Sequence, residues 1–296
     1  MTISIKRLRS LLRVAETSLA FVTSVPEDYG DHVVERLRFR LPDGTEIRGL
    51  LTRPTANRMP RPAILYAHAH GDRYDIGASE LIAGSPALLD APGPGLARQG
   101  YVTLCIDMPT FGERAGVTES AATKAALWRG RTLFGQMLSE QSAALTWLAS
   151  RMDVDGNRIG MTGISMGATL TYFLAAIDSR VAVAAHLCCY ADFETLIEMG
   201  AHDLHGHYLT IPGLLSETST GEIAGLIAPR PQLICVGRDD PLTPPPVVRC
   251  AFVETSAAYE ASGARQALAL VEEDNIGHRE TQTMRRLVVD FFRSHL

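Results

Sequence analysis

Gly163-Ile164-Ser165-Met166-Gly167 decides how this chain is read. The pentapeptide follows Arg158-Ile159-Gly160-Met161-Thr162, a short apolar run of the kind that forms a buried strand. It precedes Ala168-Thr169-Leu170-Thr171-Tyr172-Phe173-Leu174-Ala175-Ala176, which reads as a buried helix. A serine on a sharp strand-to-helix turn occupies a backbone that few side chains permit, and glycines on either side let strand and helix close around it. Its hydroxyl projects outward beside the free N–H groups of a helix N-terminus, which favour an anion.

Working outward, strand and helix patterns alternate along the chain. Residues 32–40 alternate apolar and polar, Pro42-Asp43-Gly44 reads as a turn, and residues 46–53 form the hairpin partner. Residues 63–67 are a buried strand that runs into His68-Ala69-His70-Gly71-Asp72. Residues 73–95, rich in Gly, Pro, Ala and Asp, read as a loop bordering the site, with a helix near 95–99 and a strand at 101–106 behind it. Helical periodicity spans 132–152, and further strands are expected at 181–187, 232–236 and 267–271, with a closing helix at 281–296. Strands separated by helices predict an α/β fold: a mostly parallel twisted sheet covered on both faces, an antiparallel hairpin before it, and no large lid. Residues 3–20 read as an amphipathic helix with Leu8, Leu11, Leu12, Ala15 and Leu19 on one face. Residues 1–29 are therefore read as a helical extension and 30–296 as a single domain, with 188–230 a partial cap over the pocket.

Composition sets bounds. The chain has 296 residues, 46% of them hydrophobic, which is enough for one large core. Its 28 basic and 33 acidic residues are dispersed and leave a net charge of −5, so no nucleic-acid footprint is expected. No apolar run approaches the roughly 18 residues a membrane span needs, and a cytoplasmic protein without a membrane partner is the default expectation. The five cysteines lack metal-ligand spacing, and most sit in apolar runs, as buried reduced thiols do. The N-terminal helix has two destinations, this domain or a second subunit, the latter giving a homo-oligomer.

The partners of the serine are sought in the chain order serine, acid, histidine. After the strand at 232–236 comes Gly237-Arg238-Asp239-Asp240-Pro241. Asp240 is the favoured acid, since Pro241 biases its backbone towards a fixed extended geometry. Asp239 is then a loop hydrogen-bond acceptor. The next strand leads to Gly277-His278, and His278 is the candidate base. In this set Ser165 attacks a carbonyl, His278 carries the proton, and Asp240 orients the imidazole. The oxyanion takes the Met166 N–H and one from the loop after residues 63–67: that of Asp72 if His70-Gly71 fills the usual His-Gly place, or that of His70 if His68 does.

On these motifs the chain resembles the α/β-hydrolase superfamily, in its dienelactone-hydrolase-like and acetyl-xylan-esterase-like branch. The resemblance spans roughly residues 30–296. It rests on His70-Gly71, Asp107-Met108-Pro109-Thr110-Phe111-Gly112-Glu113-Arg114, the Ser165 elbow, Leu226-Ile227-Ala228-Pro229-Arg230-Pro231, Gly237-x-x-Asp240-Pro241 and Gly277-His278. It implies a serine carboxylesterase acting on a small or medium ester through an acyl-enzyme, without a cofactor. True dienelactone hydrolases use a cysteine where this chain has Ser165, which favours ester chemistry over that lactone reaction. Carbon–carbon bond hydrolysis with the same triad is the alternative. His70 is a candidate pocket residue, the insertion implies pocket roles for His202, His205, His207 and Tyr208 with a solvated polar turn as the alternative, and Glu113 and Arg114 are expected to form a loop-supporting ion pair. Two rivals come from other classes. His68-x-His70-x-Asp72 imitates part of a zinc-hydrolase motif, and a non-catalytic scaffold would keep the fold alone.

Overall fold

The computed structural model describes residues 3–56 and 60–296. Nine strands form one sheet: β1 (Ala20–Asp28), β2 (Val33–Arg40), β3 (Glu46–Arg53), β4 (Arg61–Ala67), β5 (Val102–Ile106), β6 (Val154–Ile164), β7 (Val183–Leu187), β8 (Gln232–Gly237) and β9 (Leu268–Glu273). Their order across the sheet is β1-β2-β3-β5-β4-β6-β7-β8-β9. The pairings from β1 to β5 are antiparallel, and those from β5 through β4 to β9 are parallel. The helices are α1 (Ile5–Leu12), α2 (Glu80–Ala83), α3 (Pro92–Arg98), α4 (Glu119–Trp128), α5 (Leu133–Ala149), α6 (Met166–Ile177), α7 (Phe193–Glu198), α8 (Thr220–Gly225), α9 (Pro245–Ala261) and α10 (Gln282–His295).

Strand alternation divides the core. Ala63, Leu65 and Ala67 of β4 belong to the large apolar cluster that also holds residues of α1, α5, α6, α8 and α9. Ile64 faces the other way, into the cluster that includes Met284, Val288 and Phe292 of α10 and Leu96 of α3. The expected fold, parallel sheet and two helical layers included, is the one observed. α6 is buried along its whole length, because strands crowd one side of it and neighbouring helices the other. α10 packs so closely that a Cβ on Gly160 would lie 2.6 Å from Phe292.

The order places the site. From β4 the chain crosses to β5 on one side, then returns past β4 to β6 on the other. The winding thus reverses at β4, and the crevice beyond the carboxyl ends of β4 and β6 is a topological switch point, where open α/β sheets bind ligands.

The N-terminus differs from expectation. The helix expected over 3–20 is confined to Ile5–Leu12, with the Ser4 hydroxyl accepting from the Arg7 N–H at 3.2 Å and Arg13 turning the backbone to φ 59° to end it. Residues 20–28, drawn into a helical extension, instead pair with β2, because Val22, Thr23 and Val25 are β-branched and Pro26 cannot continue a helix. α1 packs on the domain itself. Leu8 and Leu12 are fully buried, and the Thr132 hydroxyl donates to the Leu12 carbonyl at 2.6 Å. No helix among the described residues is long and apolar enough to cross a membrane.

Candidate active site

Ser165 links β6 to α6 with φ 60° and ψ −122°, a strained conformation for a residue with a side chain. The surroundings enforce it. The Ser165 N–H donates to Leu187 O at 2.9 Å. A Cβ on Gly163 would lie 2.4 Å from Ala67 O, and one on Gly167 only 2.0 Å from the same atom. Both flanking glycines are therefore steric necessities of β4, β6 and α6 meeting at one point.

Asp240 and His278 meet on the loops after β8 and β9. His278 Nδ1 lies 2.7 Å from Asp240 Oδ2, while Asp240 Oδ1 accepts from the Leu242 N–H at 2.9 Å. The two loops are zipped together by Arg238 N–H to Glu273 O and Asp239 N–H to Ile276 O, both at 2.9 Å. A Cβ on Gly237 would lie 2.2 Å from Ile276 O, so only glycine permits this approach. Asp240 is buried; Asp239 points to solvent, and its carboxylate accepts no hydrogen bond among the described residues, unlike the loop acceptor expected.

Ser165 and His278 open into one cavity of about 190 Å³, also lined by Ala69, His70, Gly71, Arg73, Ile76, Glu80 and Ser85 to Ala87. Among the described residues no hydrogen bond joins Ser165 Oγ to His278. The N–H groups of Met166 and Gly167, at the start of α6, have no hydrogen-bond partner among the described residues and are free for an oxyanion.

The second expected oxyanion donor, the Asp72 N–H, is corrected. Gly71 and Asp72 both adopt positive φ, 54° and 53°, and turn the Asp72 N–H back onto His70 Nδ1 at 3.1 Å. Asp72 does not line the cavity. His68, not His70, fills the structural His place: its Nδ1 lies 2.9 Å from Ala69 O, and its Nε2 accepts from the Met108 N–H at 3.2 Å. The backbone N–H of His70, which borders the cavity and has no partner among the described residues, is left as the candidate donor.

These contacts also occupy the nitrogens that the zinc reading would need. Both nitrogens of His68 are engaged, and burial lowers its pKa, favouring the neutral ring. His70 presents Nε2 to Glu119 and Nδ1 to the Asp72 N–H, so the donor set faces protein groups and not a common point. No cluster of three metal-binding side chains forms among the described residues.

The insertion supplies support to the site, and its expected pocket residues lie elsewhere. His205, His207 and Tyr208 do not line the cavity. His202 and His207 are exposed. His205 Nε2 donates to Leu242 O at 3.1 Å, on the loop that carries Asp240, and burial lowers its pKa. Tyr208 is buried and stacks on His70 with ring centroids 5.7 Å apart. Glu113 and Arg114 do not pair with each other. Glu113 binds Arg38, and Arg114 binds Glu140 and the Asp107 carbonyl.

Two acidic residues escaped the sequence reading. Glu119, in the first turn of α4, accepts from His70 Nε2 at 2.8 Å, from the Tyr74 hydroxyl at 2.7 Å and from the Tyr208 N–H. Glu80, at the start of α2, accepts from the Tyr66 hydroxyl at 2.7 Å and the Ala69 N–H at 2.9 Å, and it lines the cavity. Glu119 carries only the mark of a helix start after Thr118. A better signal was available for Glu80, a lone charge between Ala78 and Leu81-Ile82.

A serine-bearing elbow at the reversal of a largely parallel sheet marks an α/β hydrolase, and this chain is one, of the serine type. More narrowly, it belongs to the family described as X-Pro dipeptidyl-peptidase (S15 family), whose sequence profile matches residues 43–224. That match includes Ser165 and stops before Asp240 and His278. The chain is 36% identical over 271 residues to YtaP of Bacillus subtilis (strain 168), provisionally named a hydrolase, covering 91% of this chain and 90% of that protein. Among solved structures, the methylesterase BT1017 superposes with a TM-score of 0.70 at 22% identity, over 98% of this chain and 60% of that one. The acetyl xylan esterase from Paenibacillus sp. R4 gives 0.69 at 20% identity, over 99% of this chain and 93% of that one. At these identities the likeness is one of fold, and the chain spans only 60% of the methylesterase's length.

Proposed function

We propose that the chain is a carboxylesterase that cleaves small esters through an acyl-enzyme. The observation that carries this is the His278–Asp240 pair at 2.7 Å, opening with Ser165 into one small cavity. His278 takes the proton of Ser165 Oγ as that oxygen attacks the ester carbonyl. Asp240 holds the Nδ1 proton and stabilises the imidazolium. The Met166 N–H, beside the His70 N–H, receives the developing oxyanion at the α6 N-terminus. His278 then returns the proton to the leaving alkoxide, and water repeats the sequence on the acyl-serine. A cavity of about 190 Å³ suits a short acyl chain and a compact alcohol.

The family match favours a second reading, release of X-Pro dipeptides by the same residues. Both are tested by assaying p-nitrophenyl acetate and an X-Pro p-nitroanilide with wild type and Ser165→Ala. The ester reading expects acetate turnover that falls on the order of 10⁴-fold without the nucleophile. Turnover of the anilide alone would replace it with the peptidase reading, and acetate turnover unaffected by the substitution would remove Ser165 from the mechanism.

A further inference from the structure

The triad leaves one feature of the cavity unexplained, the carboxylate of Glu80. Its side chain is 1% exposed and lines the space in front of Ser165. Both hydrogen bonds it accepts, from Tyr66 and from Ala69, fall on Oε1. Oε2 has no donor among the described residues. Among the described residues no Lys, Arg or His lies within ion-pair distance of it; Arg73, the cation bordering the same cavity, is held by Asp75 at 2.9 and 3.0 Å. A buried carboxylate with an idle oxygen and no counter-ion is costly unless something else completes it. Ser85 lines the same cavity, and its Oγ is shielded and also unpartnered. It can turn about χ1 to meet a ligand.

The position of Ser85 tells which half of an ester lies there. The Ala87 carbonyl accepts from the Glu280 N–H at 2.8 Å, two residues beyond His278. The segment 85–87 therefore lies against the histidine loop, on the side where His278 must deliver its proton to the departing alkoxide.

Resting on the esterase reading, we propose that Glu80 and Ser85 form a subsite for the alcohol half of the substrate, selecting alcohols with a second, free hydroxyl close to the ester. That hydroxyl donates to Glu80 Oε2 and accepts from Ser85 Oγ. A hydroxyl does both at once, whereas an alkyl group does neither and leaves the carboxylate stranded. Chemically the step is unchanged: the carbonyl–alkoxide bond breaks, and the alkoxide takes the proton from His278.

The test compares glyceryl 1-monoacetate with propyl acetate, which differ by two hydroxyls, as the ratio of their kcat/KM values. Wild type should prefer the glyceryl ester by roughly 10- to 100-fold, the range for a hydrogen bond to a charged group. In Glu80→Gln the charged acceptor becomes a neutral amide, the hydroxyl must reverse its bond, and the ratio should fall to the roughly few-fold value of a neutral hydrogen bond. Ser85→Ala should lower the ratio as well, and it serves as the test should Glu80→Gln fail to fold. General damage to the loop would reduce both substrates together and leave the ratio intact, so a ratio that persists in both folded variants overturns the subsite. Equal turnover of the two esters by wild type, abolished by Ser165→Ala, would overturn the subsite while leaving the esterase reading standing. Absence of Ser165-dependent turnover on either ester would overturn both.

Discussion

Asp239 and Asp240 are neighbours of identical chemistry in opposite surroundings. Asp240 is buried against His278 Nδ1, and Asp239 faces water with, among the described residues, only its backbone N–H engaged. Asp240→Asn should therefore lower kcat about 10⁴-fold by presenting the wrong imidazole tautomer. Asp239→Asn should stay within a few-fold of wild type, and steady-state kinetics on one ester would reveal a reversed ranking. Sequence reading reaches Asp240 through chain order, the preceding Gly237 and the following Pro241, which all act locally. It fails at Asp72 for an equally local reason. His68-Ala69-His70-Gly71 offers the same letters in two registers, and the two successive positive φ angles at Gly71 and Asp72 decide between them. No side-chain pattern announces those angles.

At the scale of elements, Glu119 clasps three pieces of chain. It joins α4 to the loop carrying His70 and Tyr74 and to the insertion at Tyr208. No sequence window contains this arrangement, since its partners lie 49, 45 and 89 residues away. Burial alone would raise the Glu119 carboxyl, but the bonds from His70 and Tyr74 outweigh it and hold the pKa below its usual 4.5. A pKa lowered by folding gives stability that is complete above the unfolded value and is lost as pH falls through the folded one. Glu119→Gln should thus cost about 2 kcal/mol near pH 7. The gap in melting temperature from wild type should narrow as pH drops below 4.5, and thermal scans showing a constant gap down to pH 3 would contradict the clasp. β1 was illegible for a different reason. It is an edge strand, largely exposed on both faces, and lacks the apolar alternation that betrays a half-buried strand, whereas β2, β4 and α6 bury one face or all of their surface and were read correctly.

Across the whole molecule, the antiparallel strands and the parallel sheet are joined by charge as well as by the β3–β5 pairing. Glu35 of β2 accepts from Arg53 of β3 at 2.6 Å and from Arg151 at 3.0 and 3.2 Å; Arg151 also grips Asp153 at 2.8 Å, just before β6. Burial works against the ionised Glu35, yet bonds from Arg151 and Arg53 lower its pKa overall. Removing one charge strands the others, so Glu35→Gln should destabilise the fold by about 3 kcal/mol, read as an earlier urea midpoint. A midpoint within error of wild type would mean that strand pairing alone holds the two parts together.

The cysteines carry a consequence for handling the molecule. Burial pushes the thiols of Cys105, Cys188, Cys189 and Cys235 upward, those of Cys189 and Cys235 to about 12, while Cys250 is exposed on α9. A maleimide at neutral pH therefore meets one address on the native chain. A dye or a surface linker placed there would tag every copy at the same spot, on the helix that follows the Asp240 loop, without a single engineered change.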